Sequence, residues 1–414
     1  MDIYERFGVK PIINVAGTKT RYGGALMEEE AIQAMDEAAN YSVNLIELQG
    51  AASRLIAEKT RAEAGIVTCG AYASLTLAAA ACICGFDVHR MNSLPDASRF
   101  PNEFIMAVHH LSGYDHSIAA AGGKVIPVGI GPDTPHPDEV CEITLLDFEA
   151  EINENTAGIL YAARTGSRPP LADVAQLARR YQIPVIVDAA AQVPPVENLY
   201  RFIETGADLV CFSGGKGIRG PQNSGILCGK KELICSAAMQ MLDMAIGSFD
   251  QWQPPEEFHL LKEKLKGRPA HGIGRGAKVT KEAIIGLMVA LEKLTPSGFQ
   301  EKADYLRTLL NKIASRINGI DGIKTHLTEE YENAYPMLMI KVDSDKLGKT
   351  AADVVSELQT NRIFARDNHT GHGILYIHSL NLDEKVTSIV GKKLYQILKK
   401  ENKKWEKLNK KSNL

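Results

Sequence analysis

Lys216 stands in Ser213-Gly-Gly-Lys-Gly-Ile-Arg-Gly-Pro-Gln222, a lysine among glycines directly after the apolar run Leu209–Phe212. Glycines at 214, 215, 217 and 220 let the backbone bend sharply and let a second group come close, so the lysine stem is set into a tight turn instead of a solvated helix face. An aldehyde-bearing cofactor can reach an amine placed that way. The loop is not a nucleotide P-loop, which requires Ser or Thr after its Gly-Lys, where this chain has Gly217. Asp188 closes a second apolar run, Ile183–Val187, in the same manner. Alone it reads as a turn or helix-capping aspartate, and Lys216 alone reads as an ordinary solvated lysine. Together they supply a Schiff-base lysine and an acid to partner a protonated pyridinium nitrogen, the two protein groups that pyridoxal phosphate chemistry requires.

Both residues are expected at the carboxyl ends of short buried strands, with a helical stretch, Leu171–Arg180, ahead of the first. In an open parallel sheet ligands bind in the crevice outside those ends, so successive βα units deliver the two groups to one site. A phosphate cradle is the third part. Val67–Ser74 leads into Leu75–Cys84, a run of small and apolar residues with the character of a buried helix. The start of such a helix offers free N–H groups and the positive end of the helix dipole, and Gly70 and Ala71 are small enough for a phosphate to rest on them. The same run also suits a tightly packed core helix, and the two readings are compatible. Gly225–Gly229 reads as a strand paired with Leu209–Phe212, which holds the lysine turn in place.

The order of a Gly70-Ala71 helix, Asp188, and Ser213-x-x-Lys216 followed by Gly220-Pro-Gln222 resembles fold-type-I pyridoxal-phosphate enzymes. The resemblance is to the branch related to bacterial selenocysteine synthase and D-glucosaminate-6-phosphate ammonia-lyase. Ile13-Asn-Val-Ala-Gly17, Val187-Asp-Ala-Ala190 and Phe364-Ala-Arg366 extend it over most of the chain, from Ile3 to Lys400. It implies an α/β fold, a mostly parallel seven-stranded sheet with helices on both faces plus a small α+β C-terminal domain. It further implies pyridoxal 5'-phosphate as cofactor, carried by Lys216, with Asp188 at its pyridine nitrogen and Gly70, Ala71 and Ser213 at its phosphate. Arg366 is then the anchor for a substrate carboxylate. Active sites of this fold are commonly built between two subunits, so at least a homodimer is expected.

The 414 residues include 45% hydrophobic ones, enough for a sizeable core, and the formal net charge is -3. That charge does not suit a partner as large as a tRNA and no added basic domain is evident, so no nucleic acid is expected. Seven cysteines, mostly inside apolar runs, read as small buried thiols of a reduced compartment. The opening Met1-Asp-Ile-Tyr-Glu5 lacks the basic start and apolar stretch of a signal peptide. The longest apolar segment, Ala71–Gly85, is short for a membrane span. A cytoplasmic protein with no membrane partner is expected.

Four segments are expected: an N-terminal stretch (1–25), a large cofactor-binding domain (26–295), a small C-terminal domain (296–400) with an antiparallel sheet, and a Lys-rich tail (401–414). A Pro- and Gly-rich surface loop is expected at Gly129–Asp138. His109, His110, Tyr114, Asp115 and His116 cluster in a loop after the strand Phe104–Val108. Their spacing fits no standard zinc pattern; a ring from the loop, His110 or Tyr114, is instead expected to stack on the cofactor. The basic loop Gly267–Gly276 carries Arg268, His271 and Arg275, which are candidates to close over an anionic substrate, although flexibility alone would also explain its glycines. Lys19, Arg21, Arg164, Arg268, Arg275 and Arg366 exceed what one carboxylate needs, which argues for a phosphate on the substrate. The expected activity is a lyase that removes ammonia from a small amino acid by α,β-elimination to give a 2-keto acid. The alternatives are an aminotransferase or a selenocysteine synthase-like transferase acting on aminoacyl-tRNA.

Overall fold

The computed structural model describes residues 3–129, 143–329 and 334–399. The greater part of the Gly129–Asp138 loop and the Lys-rich tail lie outside them. Contacts divide the chain into two units, one of Met27–Leu294 and one that joins the residues up to Leu26 with those from Thr295 onward. None of the described helices is long and apolar enough to cross a membrane.

In chain order the strands up to residue 229 are β1 (Ile13–Val15), β2 (Ala64–Thr68), β3 (Glu103–Ala107), β4 (Lys124–Val128), β5 (Thr156–Ala162), β6 (Val185–Asp188), β7 (Leu209–Ser213) and β8 (Gly225–Gly229). Seven of them form the sheet of the larger unit in the order β2-β8-β7-β6-β5-β3-β4. β8 runs antiparallel to both neighbours, and the other pairings are parallel. β5 and β8 are buried along their whole length, which is why these strands read as unbroken apolar runs and not as alternating ones. The Ala71–Cys84 helix lies across β5 to β8, and the helices Leu171–Tyr181 and Asn198–Thr205 pack on β5 to β7. Its Ala78–Ala81 run has no exposed surface; small side chains on every side let the helix sit directly on the sheet.

The helix Leu45–Thr60 begins where the Asn44 side chain caps it, accepting from the Ile46 and Glu47 amides. Gly50 is therefore interior to the helix. A Cβ there would lie 2.9 Å from both Pro255 Cβ and Glu257 Oε2, so close packing explains this glycine.

In the second unit, Thr295 caps a helix of 22 residues, Pro296–Ile317, with Pro at its first turn. Thr295-Pro-Ser-Gly298 is thus the start signal of this helix. β9 (Ile323–Glu329), β10 (Pro336–Val342) and β12 (Ile374–His378) form the antiparallel sheet, ordered β12-β10-β9. β11 (Ile363–Ala365) is not part of it. It pairs in parallel with β1, Asn14 opposite Phe364, so the opening residues of the chain are built into the same unit as its C-terminal residues.

Candidate active site

Around Lys216 the chain closes on itself. The Gly214 amide donates to Ser224 O (2.9 Å), the Gly220 amide to Gly214 O (2.8 Å), and the Arg219 amide to Lys216 O (3.1 Å). Lys216 is half-buried at this turn, directly past the end of β7. Asp188 ends β6, in register with Ala162 of β5 and Cys211 of β7, so acid and lysine leave adjacent parallel strands at the same end. One carboxylate oxygen of Asp188 accepts from the Ala190 amide (3.0 Å), which fixes its direction. The two loops touch: a Cβ at Gly217 would lie 1.9 Å from the Val193 carbonyl oxygen, so only glycine lets the lysine turn rest on the chain that follows Asp188.

The residues expected to cradle a phosphate are one strand further on. Thr68, Gly225 and Ser213 stand in register across β2, β8 and β7. A Cβ at Gly225 would lie 2.6 Å from the Gly70 carbonyl carbon and 2.9 Å from the Ala71 nitrogen, so the start of the Ala71–Cys84 helix is pressed onto the sheet edge beside Ser213. Thr68 Oγ1 donates to Gly70 O (3.1 Å) and meets Ser74 Oγ (2.6 Å), which fixes the bend. Gly70 provides no side-chain cap for the first-turn amides. Small residues, an uncapped helix start, a directed carboxylate and a half-buried amine at one end of one sheet are what pyridoxal phosphate needs from a protein. The residues present fit the group.

After β3 the chain turns through Val108–His110. His110 is fully buried, with its ring 4.8 Å from that of Tyr161 and 4.4 Å from that of His109. Tyr114 is 59% exposed. His110 is therefore enclosed, and His109, passed over in the sequence reading, is the ring of the pair with an exposed face. Arg164, expected to face substrate, holds this loop instead: Nη1 donates to His109 O and Nη2 to His110 O, both at 3.0 Å.

Burial, with His109 and Arg164 adding, pushes the His110 pKa down to about 3. Neither ring nitrogen has a hydrogen-bond partner among the described residues. The unfolded chain binds a proton here below about pH 6.5 while the folded chain stays neutral. Stability from this group is thus present above about pH 6.5 and lost as pH falls toward about 3. His110→Phe keeps a ring against Tyr161 and removes the titration. Its unfolding free energy, measured by urea titration across this window, is expected to fall less steeply than the wild type's by up to about 1.4 kcal/mol per pH unit. Parallel curves would show that His110 titrates in the folded state.

The basic residues that suggested a phosphate have internal partners. Arg275 Nη2 pairs with Asp243 Oδ2 at 2.6 Å, and Arg268 donates to the carbonyls of Met244 and Ile246. Lys19 and Arg21 pair with Asp367 at 2.6 and 3.5 Å. Arg366, half-buried, is bridged through its backbone to Tyr376 and has Nη1 3.5 Å from Met337 Sδ. Their number alone therefore does not argue for a phosphorylated substrate.

The family model for aminotransferase class-V matches residues 133–386. The chain belongs to the aminotransferase class-V family. Its fold is fold type I, and it is an enzyme that depends on pyridoxal 5'-phosphate. Among curated relatives, 5'-C-glycyluridine monooxygenase-decarboxylase of Streptomyces sp is 28% identical over 377 residues, 88% of this chain and 84% of that protein. D-glucosaminate-6-phosphate ammonia lyase of Salmonella typhimurium is 27% identical over 407 residues, 96% of this chain and 98% of that protein. A solved structure of D-glucosaminate-6-phosphate ammonia-lyase superposes with a TM-score of 0.75 at 26% identity, covering 96% of this chain and 98% of that one. Within this class-V chain, Gly225 is the site feature that sequence reading missed, and Arg164 the one whose partner it misjudged. A glycine opening a strand and an arginine after one carry no local sign of what they will touch.

Proposed function

We propose that the protein is an ammonia-lyase acting on a small β-hydroxy amino acid of the D-glucosaminate 6-phosphate type. The observation that carries this is the likeness to the ammonia-lyase structure over nearly the whole of both chains, with an acid and a lysine at adjacent strand ends. In this reading Gly70, Ala71 and Ser213 hold the cofactor phosphate, Asp188 its ring nitrogen, and Lys216 its aldehyde. When bound, pyridoxal phosphate supplies an electron sink for charge left at the substrate α-carbon. Lys216 would accept the α-proton as general base. Asp188 keeps a proton on the ring nitrogen by charge-assisted hydrogen bonding. Arg366 is the candidate for the substrate carboxylate, and Arg275 a candidate to close over an anionic substrate. The β-hydroxyl leaves as water, and one water re-enters as ammonia departs. The products are ammonia and a 2-keto acid with no net oxidation.

The Streptomyces relative motivates a second reading, an oxygen-consuming decarboxylation of an amino acid joined to a sugar-derived chain. One assay separates them. The cofactor-loaded protein is offered a panel of β-hydroxy and β-substituted amino acids including D-glucosaminate 6-phosphate. Equimolar ammonia and 2-keto acid without oxygen uptake is the expected result. Oxygen uptake with carbon dioxide release would favour the second reading, and full conversion of the cofactor to its amine form would favour transamination.

A further inference from the structure

We propose that Arg219 and Glu28 are a positioning pair that sets the Lys216 turn in its working shape. The inference rests on Lys216 being the lysine that carries the cofactor. Arg219, three residues further on, has φ of +62°, in the left-handed region that residues with a Cβ, bulky ones above all, rarely enter. Glycine takes that conformation readily, and the same turn already uses glycine at 214, 215, 217 and 220. An arginine stands there in spite of its backbone, so its side chain has a task.

The task is visible in its partners. The Arg219 amide closes the turn on Lys216 O at 3.1 Å, and its carbonyl accepts from the Glu28 amide at 2.9 Å. Its Nε faces Glu28 Oε1 at 3.4 Å, with the two side chains only 13% and 25% exposed. Glu28, the residue that opens the Glu29–Ala39 helix, thus holds Arg219 both by main chain and by side chain. A half-desolvated ion pair is screened less by water than one on the surface. The turn is then pinned at two points, Gly217 against Val193 and Arg219 against Glu28, one and three residues past the lysine. Both partners act through the turn, and neither is assigned to the chemistry itself.

The test compares wild type with Arg219→Gly, Arg219→Lys, Glu28→Gln and the Gly/Gln double variant, each freed of cofactor and then given pyridoxal phosphate. The readouts are the rate at which the visible absorbance of lysine-linked cofactor appears, kcat and KM on the best substrate, and the thermal midpoint. Arg219→Gly and Glu28→Gln are each expected to slow linkage and lower kcat by about 10- to 100-fold, the cost of small misplacement at a reacting group, with KM within about twofold. The double variant is expected to be no slower than either single one, and Arg219→Lys to recover part of the loss. Glu28→Gln keeps size and every main-chain bond, so it carries the comparison if Arg219→Gly lowers the midpoint. Wild-type linkage and kcat in Glu28→Gln would overturn the proposal, as would a double variant in which the two losses multiply. Lys216→Ala run in parallel separates the layers. If it still forms the linked species, the reading of Lys216 fails; if linkage vanishes there and Glu28→Gln is silent, only the positioning pair fails.

Discussion

Lys216→Ala is expected to reduce turnover by on the order of 10³-fold or more, with the fold intact. General acid–base catalysis by one positioned side chain contributes about 10²- to 10⁴-fold, and this amine is assigned both the covalent hold on the cofactor and the α-proton. Removing it costs little packing, because Lys216 is half-buried in a turn held by backbone bonds at Gly214, Arg219 and Gly220. The Gly70–Ala71 cradle and Asp188 remain, so the variant should still bind cofactor, but without a covalent link. Borohydride reduction followed by peptide mass analysis reads this directly. The wild type should carry the added mass on the peptide that contains Lys216, and the variant should carry none. Turnover within tenfold of wild type would remove Lys216 from the mechanism.

Sequence reading reached the strand ends because chemistry and burial coincide there. Ile183–Val187 and Leu209–Phe212 are unbroken apolar runs, each stopped by a residue that could not itself be buried cheaply or by glycine. A polar group directly after such a run must lie at an edge of the sheet, and the parallel order sends both to the same edge. What stayed hidden depends on partners distant in the chain. Arg164 bonds carbonyls more than fifty residues away, and an arginine binding backbone looks the same in sequence as one awaiting a substrate. The three residues of β11 suit any sheet; only their pairing with β1, some 350 residues earlier, decides which one. His110 and Tyr114 could not be separated by spacing, since enclosure by Tyr161 and His109 is a tertiary fact. Cations mislead for a related reason: sequence shows Lys19, Arg21, Arg268 and Arg275 as a surplus of charge, but not that Asp367, Asp243 and two backbone carbonyls hold them.

Asp188→Asn is expected to lower kcat by about 10²- to 10³-fold, the range for loss of one preorganised charge contact at a reacting centre, while the cofactor stays linked to Lys216. The substitution isolates charge from shape. An asparagine carbonyl can still accept from the Ala190 amide, which Asp188 Oδ1 does at 3.0 Å, so the loop that meets Gly217 is kept. The register with Ala162 and Cys211 is a backbone property and is unchanged. What is lost is the anion proposed to hold a proton on the ring nitrogen; a neutral amide does this far less well. Cys211 cannot substitute for it, because burial raises its thiol well above the usual range even without the neighbouring carboxylate. The expected signature is thus opposite to that of Lys216→Ala: normal reducible linkage, slow chemistry, and a deuterium isotope effect at the α-carbon that grows as proton removal becomes rate-limiting. Asp188→Asn with wild-type kcat would show that the carboxylate does not face the ring nitrogen and that its turn-forming bond to Ala190 is its whole role.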